Sequence, residues 1–183
     1  MCLKLCTTKR VKIKDGRTIL IRRPKMSDAK QLKDYINSLV DEDALILQNE
    51  KKTLKEERVW LKDALKKIKK GEAHALVGIV DGKIAGFTNL SKDKGRRSHV
   101  AEYGISTAKK FRRFGVASAL TKRILEIGRR DKAIKVIMLC VFSTNKIAIS
   151  MYRKFGFKKV ATLKNRCFYK NKLIDEFVMD LKR

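Results

Sequence analysis

Two segments of strand length, Ala73–Val80 and Lys83–Leu90, are separated by only two residues, Asp81-Gly82. Asp-Gly supplies the positive φ angles of a two-residue hairpin turn, so this part of the chain reads as an antiparallel strand pair. The other segments have to be arranged around that hairpin. After it, the polar loop Ser91–Arg97 leads to a third strand, Ser98–Ser106. A helix follows from Val116 to Arg130, with Val116, Leu120, Ile124 and Ile127 on its buried face. Lys135–Phe142 is a fully apolar strand, and Lys146–Phe155 is a short helix closed by Gly156. Strands Phe157–Leu163 and Phe168–Leu181, with a turn near Asn171, complete the chain.

Before the central hairpin, Val11–Lys14 and Arg17–Ile21 flank another Asp-Gly turn, Asp15-Gly16. Beyond Pro24, Ser27 is placed to cap a helix with Ala29, Leu32, Ile36 and Leu39 on one face. Asp41-Glu42-Asp43 interrupts it. Thr53-Leu54-Lys55-Glu56 is a capping box that opens a second helix, with a stripe of Leu54, Leu61, Leu65 and Ile68 ending at Gly71. This order predicts an α/β (α+β) fold, a mixed sheet with helices on its faces.

A chain of 183 residues, 44% of them apolar, is long enough to bury one core. Residues 11–183 are expected to form a single domain behind a basic tail, 1–10, which is either loose or an added edge strand. No apolar stretch approaches the ~20 residues of a membrane span, and MCLKLCTTKR lacks the apolar core of a secretion signal. A cytoplasmic protein with no membrane partner is the expectation. The four cysteines form no C-x-x-C pair, and His74 and His99 lack ligand spacing, so no metal is expected. Cys140, between Leu139 and Val141, reads as a buried small hydrophobe rather than a nucleophile.

The net charge of +27 has two readings. It suits anionic partners (nucleic acid, the ribosome, a membrane surface, an anionic cofactor), or it is a solvated Lys-rich surface. It is densest from Lys109 to Lys135, with ten Lys or Arg against Glu126 and Asp131.

Within that stretch, Tyr103–Leu120 runs from a strand end through a basic loop to a helix start at Gly115. Such a junction aims unpaired N–H groups and the positive end of a helix dipole at one point, where a phosphate can bind. Gly115 allows close approach, Ala117 leaves room, and Lys109, Lys110, Arg112 and Arg113 add mobile positive charge. Neither a Walker loop nor a G-x-G-x-x-G fingerprint is present. Downstream, Asn145, Ala148 and Tyr152 are spaced by three and four and line one helix face. Taken alone, Tyr152 could equally be a core aromatic beside Met151 and Phe155.

Together, Arg112-x-x-Gly115-x-Ala117 and Asn145-x-x-Ala148-x-x-x-Tyr152-x-x-x-Gly156-Phe157 resemble the two signature motifs of the GNAT N-acetyltransferase superfamily. The resemblance covers about residues 17–181. It implies an acyl-CoA N-acyltransferase fold with a mostly antiparallel sheet, and acetyl-CoA as cosubstrate. It implies that Arg112, Arg113, Phe114, Gly115, Val116 and Ala117 hold the CoA pyrophosphate. It also implies that the strand Tyr103, Gly104, Ile105, Ser106 and Thr107 splays from its neighbour, so that pantetheine pairs near Ile105 and Thr107. The Ile105 N–H would polarise the thioester carbonyl. Asn145 and Ala148 would face the CoA arm, and Tyr152 would act on the departing thiolate.

An amine must lose its proton before it attacks, and Glu102 is the candidate base, with His99 a second one. Glu102 could also be a surface carboxylate paired to a lysine. A protein N-terminus or lysine is the leading acceptor, with a small-molecule amine close behind. Asp41-Glu42-Asp43 would either attract a cationic acceptor or be a solvated loop. An association with RNA or the ribosome, in a monomer or homodimer, is compatible with the charge. The rival reading is a nucleic-acid-binding module on the same fold with little catalysis. Against it, aromatics are only 7% of the chain, too sparse for a stacking platform.

Overall fold

The computed structural model of the protein describes residues 8–182. The central hairpin is present as β3 (Ala73–Val80) and β4 (Lys83–Lys92), with Asp81 and Gly82 at φ 50° and 72°. The other strands are β1 (Lys9–Lys12), β2 (Thr18–Arg22), β5 (Val100–Thr107), β6 (Val136–Phe142), β7 (Lys158–Tyr169) and β8 (Lys172–Lys182). The helices are α1 (Ala29–Asp41), α2 (Leu54–Lys69), α3 (Val116–Arg130) and α4 (Lys146–Lys154). The eight strands form one mostly antiparallel sheet in the order β1-β2-β3-β4-β5-β6-β8-β7. The expected mixed α/β architecture is therefore observed. By contact density the chain divides into two compact units: residues up to Asn89 with Ile105–Leu125, and Leu90–Gly104 with the chain from Glu126 onward.

In the first unit β1 pairs with β2 from Lys9↔Ile21 to Lys12↔Thr18, so the edge strand starts inside the expected tail. Residues 1–7 of that tail lie outside the described residues. The core collects Ile19, Ile21, Leu76, Val77, Leu120 and Ile124. α1 buries Ala29, Leu32, Tyr35 and Leu39, while the expected Ile36 is only half-buried. Of the α2 stripe only Leu61 is fully buried; Leu54, Leu65 and Ile68 are half-exposed.

The capping box of α2 forms as expected, with Thr53 Oγ1 accepting from the Glu56 N–H at 3.2 Å and Glu56 Oε2 from the Thr53 N–H at 2.8 Å. The expected Ser27 cap does not form. Asp28 directly precedes α1 but caps none of its N–H groups with its side chain: its carboxylate accepts from the Lys25 N–H at 2.9 Å and from both terminal nitrogens of Arg22 at 2.7 Å. Burial pushes the Asp28 carboxyl up, but the Arg22 and Lys25 donors outweigh it and hold its pKa below the usual value. A depressed folded-state pKa gives stability that is present above the unfolded pKa and lost as pH falls through the folded one. Asp28→Asn is therefore expected to lower the melting temperature by about 4 °C or more at pH 7. The gap to wild type should close in acid, as calorimetry at several pH values would read.

In the second unit β5 runs parallel to β6 over Val100↔Val136 to Glu102↔Met138. β6 pairs antiparallel with β8 from Val136↔Lys182 to Phe142↔Glu176. β7 is one strand where a break was expected around residues 164–167. The polar residues there form an irregularity between Leu163 and Cys167, with Asn165 at φ 53°. Leu90, Ile134, Ile137, Leu139, Phe157 and Met179 fill the core.

Candidate functional site

In the first unit the chain leaves β5 at Thr107, makes a short turn over Lys109–Phe111, and enters α3 after Gly115. α3 approaches the sheet closely at its start because β4 carries Gly86 there. A Cβ on Gly86 would stand 2.8 Å from Leu120 Cδ1, 3.0 Å from the Ser106 carbonyl oxygen and 3.3 Å from Val116 Cγ1. The loop itself has a special backbone: Arg113 has φ 67° and Gly115 φ 89°. Alternation of this kind turns successive N–H groups toward one point, a concavity suited to an anion. Among the described residues no acceptor meets the N–H groups of Arg113 through Ser118, and the first intrahelical bond is Ala119 N–H to the Gly115 carbonyl at 2.9 Å.

The loop is anchored from the β1–β2 hairpin. The Phe114 carbonyl accepts from the Lys14 N–H at 2.9 Å, and the Arg17 guanidinium sits 5.4 Å and 5.5 Å from the Phe111 and Phe114 ring centres. Asp15 and Asp81 hold that guanidinium at 2.6 Å and 2.9 Å.

Lys109, Lys110 and Arg113 are exposed, as a mobile charge requires. Arg112 is exposed as well, but it is not a free cation. Its guanidinium is paired with Glu42 and donates from Nε to the Thr107 carbonyl at 3.0 Å. A second contact from α1 meets the preceding residue, since the Tyr35 hydroxyl donates to Ser106 Oγ at 2.7 Å. Tyr35 and Glu42 are seven positions apart, two helical turns, so one face of α1 grips the end of β5. Burial pushes the Tyr35 phenol pKa upward, which keeps the donating proton in place. Sequence reasoning missed both residues. Tyr35 lies between Leu32 and Leu39 on the buried stripe and was legible there. Glu42 was not legible, because nothing local separates it from Asp41 and Asp43. Next to this clasp, Thr107 Oγ1 is buried and without a hydrogen-bond partner among the described residues.

In the second unit the β5–β6 register stops at Glu102, while β6 stays with β8 as far as Phe142. The two strands therefore part company where the expected splay begins. Tyr103 is buried, with its ring centre 6.0 Å from that of Tyr152 and 5.8 Å from that of Phe157. Gly104 follows half-buried. Asn145 is the N-cap of α4, its Oδ1 accepting from the Ala148 N–H at 3.2 Å. Tyr152, two turns along, is 7% exposed and packs edge-on against Tyr103. It is thus a core aromatic in its ring, but among the described residues nothing hydrogen-bonds its hydroxyl. Burial lifts that phenol to about 12, so it keeps its proton across the neutral range.

Glu102 is exposed and, among the described residues, makes no ion pair. His99 is exposed ahead of β5, and its carbonyl accepts from the N–H groups of Lys135 and Val136 at 2.8 Å and 3.2 Å. It precedes the first residue of β5, four and five positions before Tyr103 and Gly104. Cys140 is half-buried rather than buried, and burial with the nearby Glu176 and Glu102 carboxylates raises its thiol to about 11. A thiol so raised is not a neutral-pH nucleophile.

Residues 36–157 match the model of the Acetyltransferase (GNAT) family. The chain is 33% identical over 105 residues, 57% of its length, to the L-amino acid N-acetyltransferase AaaT of Escherichia coli (strain K12), of which the match spans 65%. The chain thus covers just under two thirds of that relative. Among solved structures, an acetyltransferase of the GNAT family from Streptococcus pneumoniae superposes with a TM-score of 0.82 at 24% identity, covering 90% of this chain and 99% of that one. yncA from Salmonella typhimurium, solved with its cofactor acetyl-CoA, superposes with a TM-score of 0.78 at 17% identity over 90% and 93% of the two chains. With the family model spanning well over half of its residues, this chain belongs to the GNAT family of acetyltransferases.

Proposed function

We propose that the protein is an acetyl-CoA-dependent N-acetyltransferase acting on a primary amine, with an α-amino group as the preferred acceptor. The observation that carries this reading is the loop from Arg113 to Ser118, whose N–H groups have no acceptor among the described residues at the start of α3. The residues fit acetyl-CoA: an anion cradle at Gly115, and a buried unsatisfied Thr107 hydroxyl on the strand leading into it. When bound, acetyl-CoA supplies an acetyl thioester that is already activated, so the protein has to supply positioning and routes for protons.

In this reading the backbone of Arg113–Ala117, with Phe114 and Val116 as its frame, takes the pyrophosphate. Arg112 holds the loop in shape through Glu42 and Thr107 instead of contacting phosphate itself. Ile105 offers its N–H to the carbonyl oxygen that gains charge. Asn145 offers its side-chain amide, since its carbonyl is used in the cap, and Ala148 leaves space beside it. Tyr152, its ring packed and its hydroxyl without a partner among the described residues, holds a proton for the leaving sulfur. Glu102, exposed and without an ion pair among the described residues, takes the proton of the incoming amine, directly or through water.

Two acceptors share this α-amine chemistry. A protein N-terminus is one; a free L-amino acid is the other, and the similarity to the L-amino acid N-acetyltransferase of Escherichia coli favours it. Release of CoA thiol should be compared across free L-amino acids, peptides with free N-termini, and N-terminally blocked lysine peptides. Turnover with either α-amine class above the blocked lysine peptide is the expected result. Turnover with lysine peptides alone would overturn the α-amine assignment.

Two further results are expected. Glu102→Gln should lower kcat/KM about 10–100-fold at pH 7. The loss should shrink above the acceptor pKa of ~7.7–8.0, where the amine is already neutral. A pH profile with a uniform loss would remove Glu102 from the role of base. Glu42→Gln should raise the KM for acetyl-CoA several-fold with a small change in kcat, because it frees Arg112 and loosens the loop.

A further inference from the structure

Apart from the acetyl site, the second unit carries a dense cationic surface at the starts of β5 and β6. Segments 92–99 and 127–135 contain eight Lys or Arg and two acids, Asp93 and Asp131. The structure brings the two segments together. The His99 carbonyl accepts from the N–H groups of Lys135 and Val136, Lys92 Nζ meets Asp131 at 2.8 Å, and a Cβ on Gly128 would meet Leu90 and Ile137 side chains at 2.8 Å and 3.2 Å. Both acids are used internally, Asp131 by Lys92 and Asp93 by Arg97 at 2.9 Å. Lys94, Arg96, Arg129, Arg130, Lys132 and Lys135 are all exposed and, among the described residues, form no ion pair. The C-terminal dipole of α3 offsets only about half a charge.

Six exposed cations without an ion pair among the described residues, on two mutually pinned segments, make a local focus of positive potential that attracts an anionic partner. The surroundings restrict what that partner is. Neither segment contains Phe, Tyr or Trp, so there is no platform for stacking unpaired bases. None of the exposed large apolar side chains lies in either segment, so nothing here would insert into a bilayer. Arginine and lysine alone, without aromatic or apolar neighbours, match a closely spaced phosphate backbone.

We infer that this surface binds the phosphate backbone of a double-stranded nucleic acid, without reading its sequence. The binding is independent of acetyl transfer, since Asn145 and Tyr152 follow the other end of β6. The test is fluorescence anisotropy with an RNA hairpin, a DNA duplex of the same sequence and single-stranded RNA, each from 50 to 300 mM salt. Wild type should bind the duplexes, with log K falling linearly in log[salt]. Lys94→Ala/Arg96→Ala/Lys132→Ala should weaken duplex binding at least tenfold and reduce the salt slope by about 2–3. A charge-matched control on α2, Lys55→Ala/Lys62→Ala/Lys66→Ala, should stay within twofold of wild type, with both variants melting as wild type does. Equal weakening by the two triple variants would overturn the proposal, because net charge alone would then explain binding. Full binding by the first variant, or wild-type binding to phosphatidylserine vesicles but not to duplexes, would overturn it as well. Stronger binding to one duplex than the other would identify RNA or DNA as the partner.

Discussion

Gly115→Glu is expected to lower the affinity for acetyl-CoA at least a hundredfold while leaving the protein folded. Crowding by the protein is not the reason, since a Cβ at this position would meet only Lys14 Cγ, at 3.7 Å. The first cause is the backbone: at φ 89° any L side chain is strained by about 1–3 kcal/mol, and relief of that strain would turn the N–H groups away from their common focus. The second is electrostatic, because the new carboxylate would stand where two phosphate charges are to be received, at the positive end of α3. At about 1.4 kcal/mol per factor of ten, strain and repulsion together reach the hundredfold range. Gly115→Ala separates the two causes, as it carries the strain without the charge and should lose only about tenfold. Calorimetric titration reads both, and wild-type affinity in Gly115→Glu would remove the loop from the binding site.

Tyr152→Phe should have the opposite signature. The ring keeps its contacts with Tyr103 and Phe157, so the fold and the dissociation constant for acetyl-CoA should barely move. What is lost is a hydroxyl that nothing else in the described structure uses, and whose proton is retained up to about pH 12. Loss of a general acid costs about 10²–10⁴ in rate, so kcat should fall by at least a hundredfold. The loss should be smaller with a donor whose thiol is more acidic, because such a sulfur leaves without protonation. A merely structural role would lower the melting temperature without that dependence on the leaving group. Unchanged turnover would return Tyr152 to packing alone.

The elements that could be read from the chain were those with strong local chemistry. Asp81-Gly82, the Thr53–Glu56 box and the apolar periodicity of Val116–Arg130 each determine structure within a few residues, and the observed bounds of β3 and α3 coincide with the expected ones. The misplacements came where a distant partner decides. The expected Ser27 cap is absent, and the carboxylate next to it, Asp28, turns back to Arg22, a strand residue that supplies its counter-charge. Lys164-Asn165-Arg166 reads as a break, and the β7–β8 register does shift there, yet pairing on either side keeps β7 one strand, with Asp175 taking Lys164 and the Asn165 N–H.

The candidate site divides the same way. Gly115, Asn145 and Tyr152 stand in short motifs that mark them. The clasp of Tyr35 on Ser106 and of Glu42 on Arg112 joins residues about seventy positions apart, and no local pattern encodes it. That clasp also changes the meaning of Arg112, from a free cation to a brace for the loop proposed to receive the pyrophosphate.

The claim that the Arg113–Ser118 cradle binds the pyrophosphate of acetyl-CoA is tested most directly by calorimetric titration at moderate salt. Acetyl-CoA and CoA would be titrated separately, with ATP as a polyanion of similar charge. Micromolar binding of both CoA compounds with ATP much weaker is the predicted result. Equal binding of ATP, or no binding of acetyl-CoA, would contradict it.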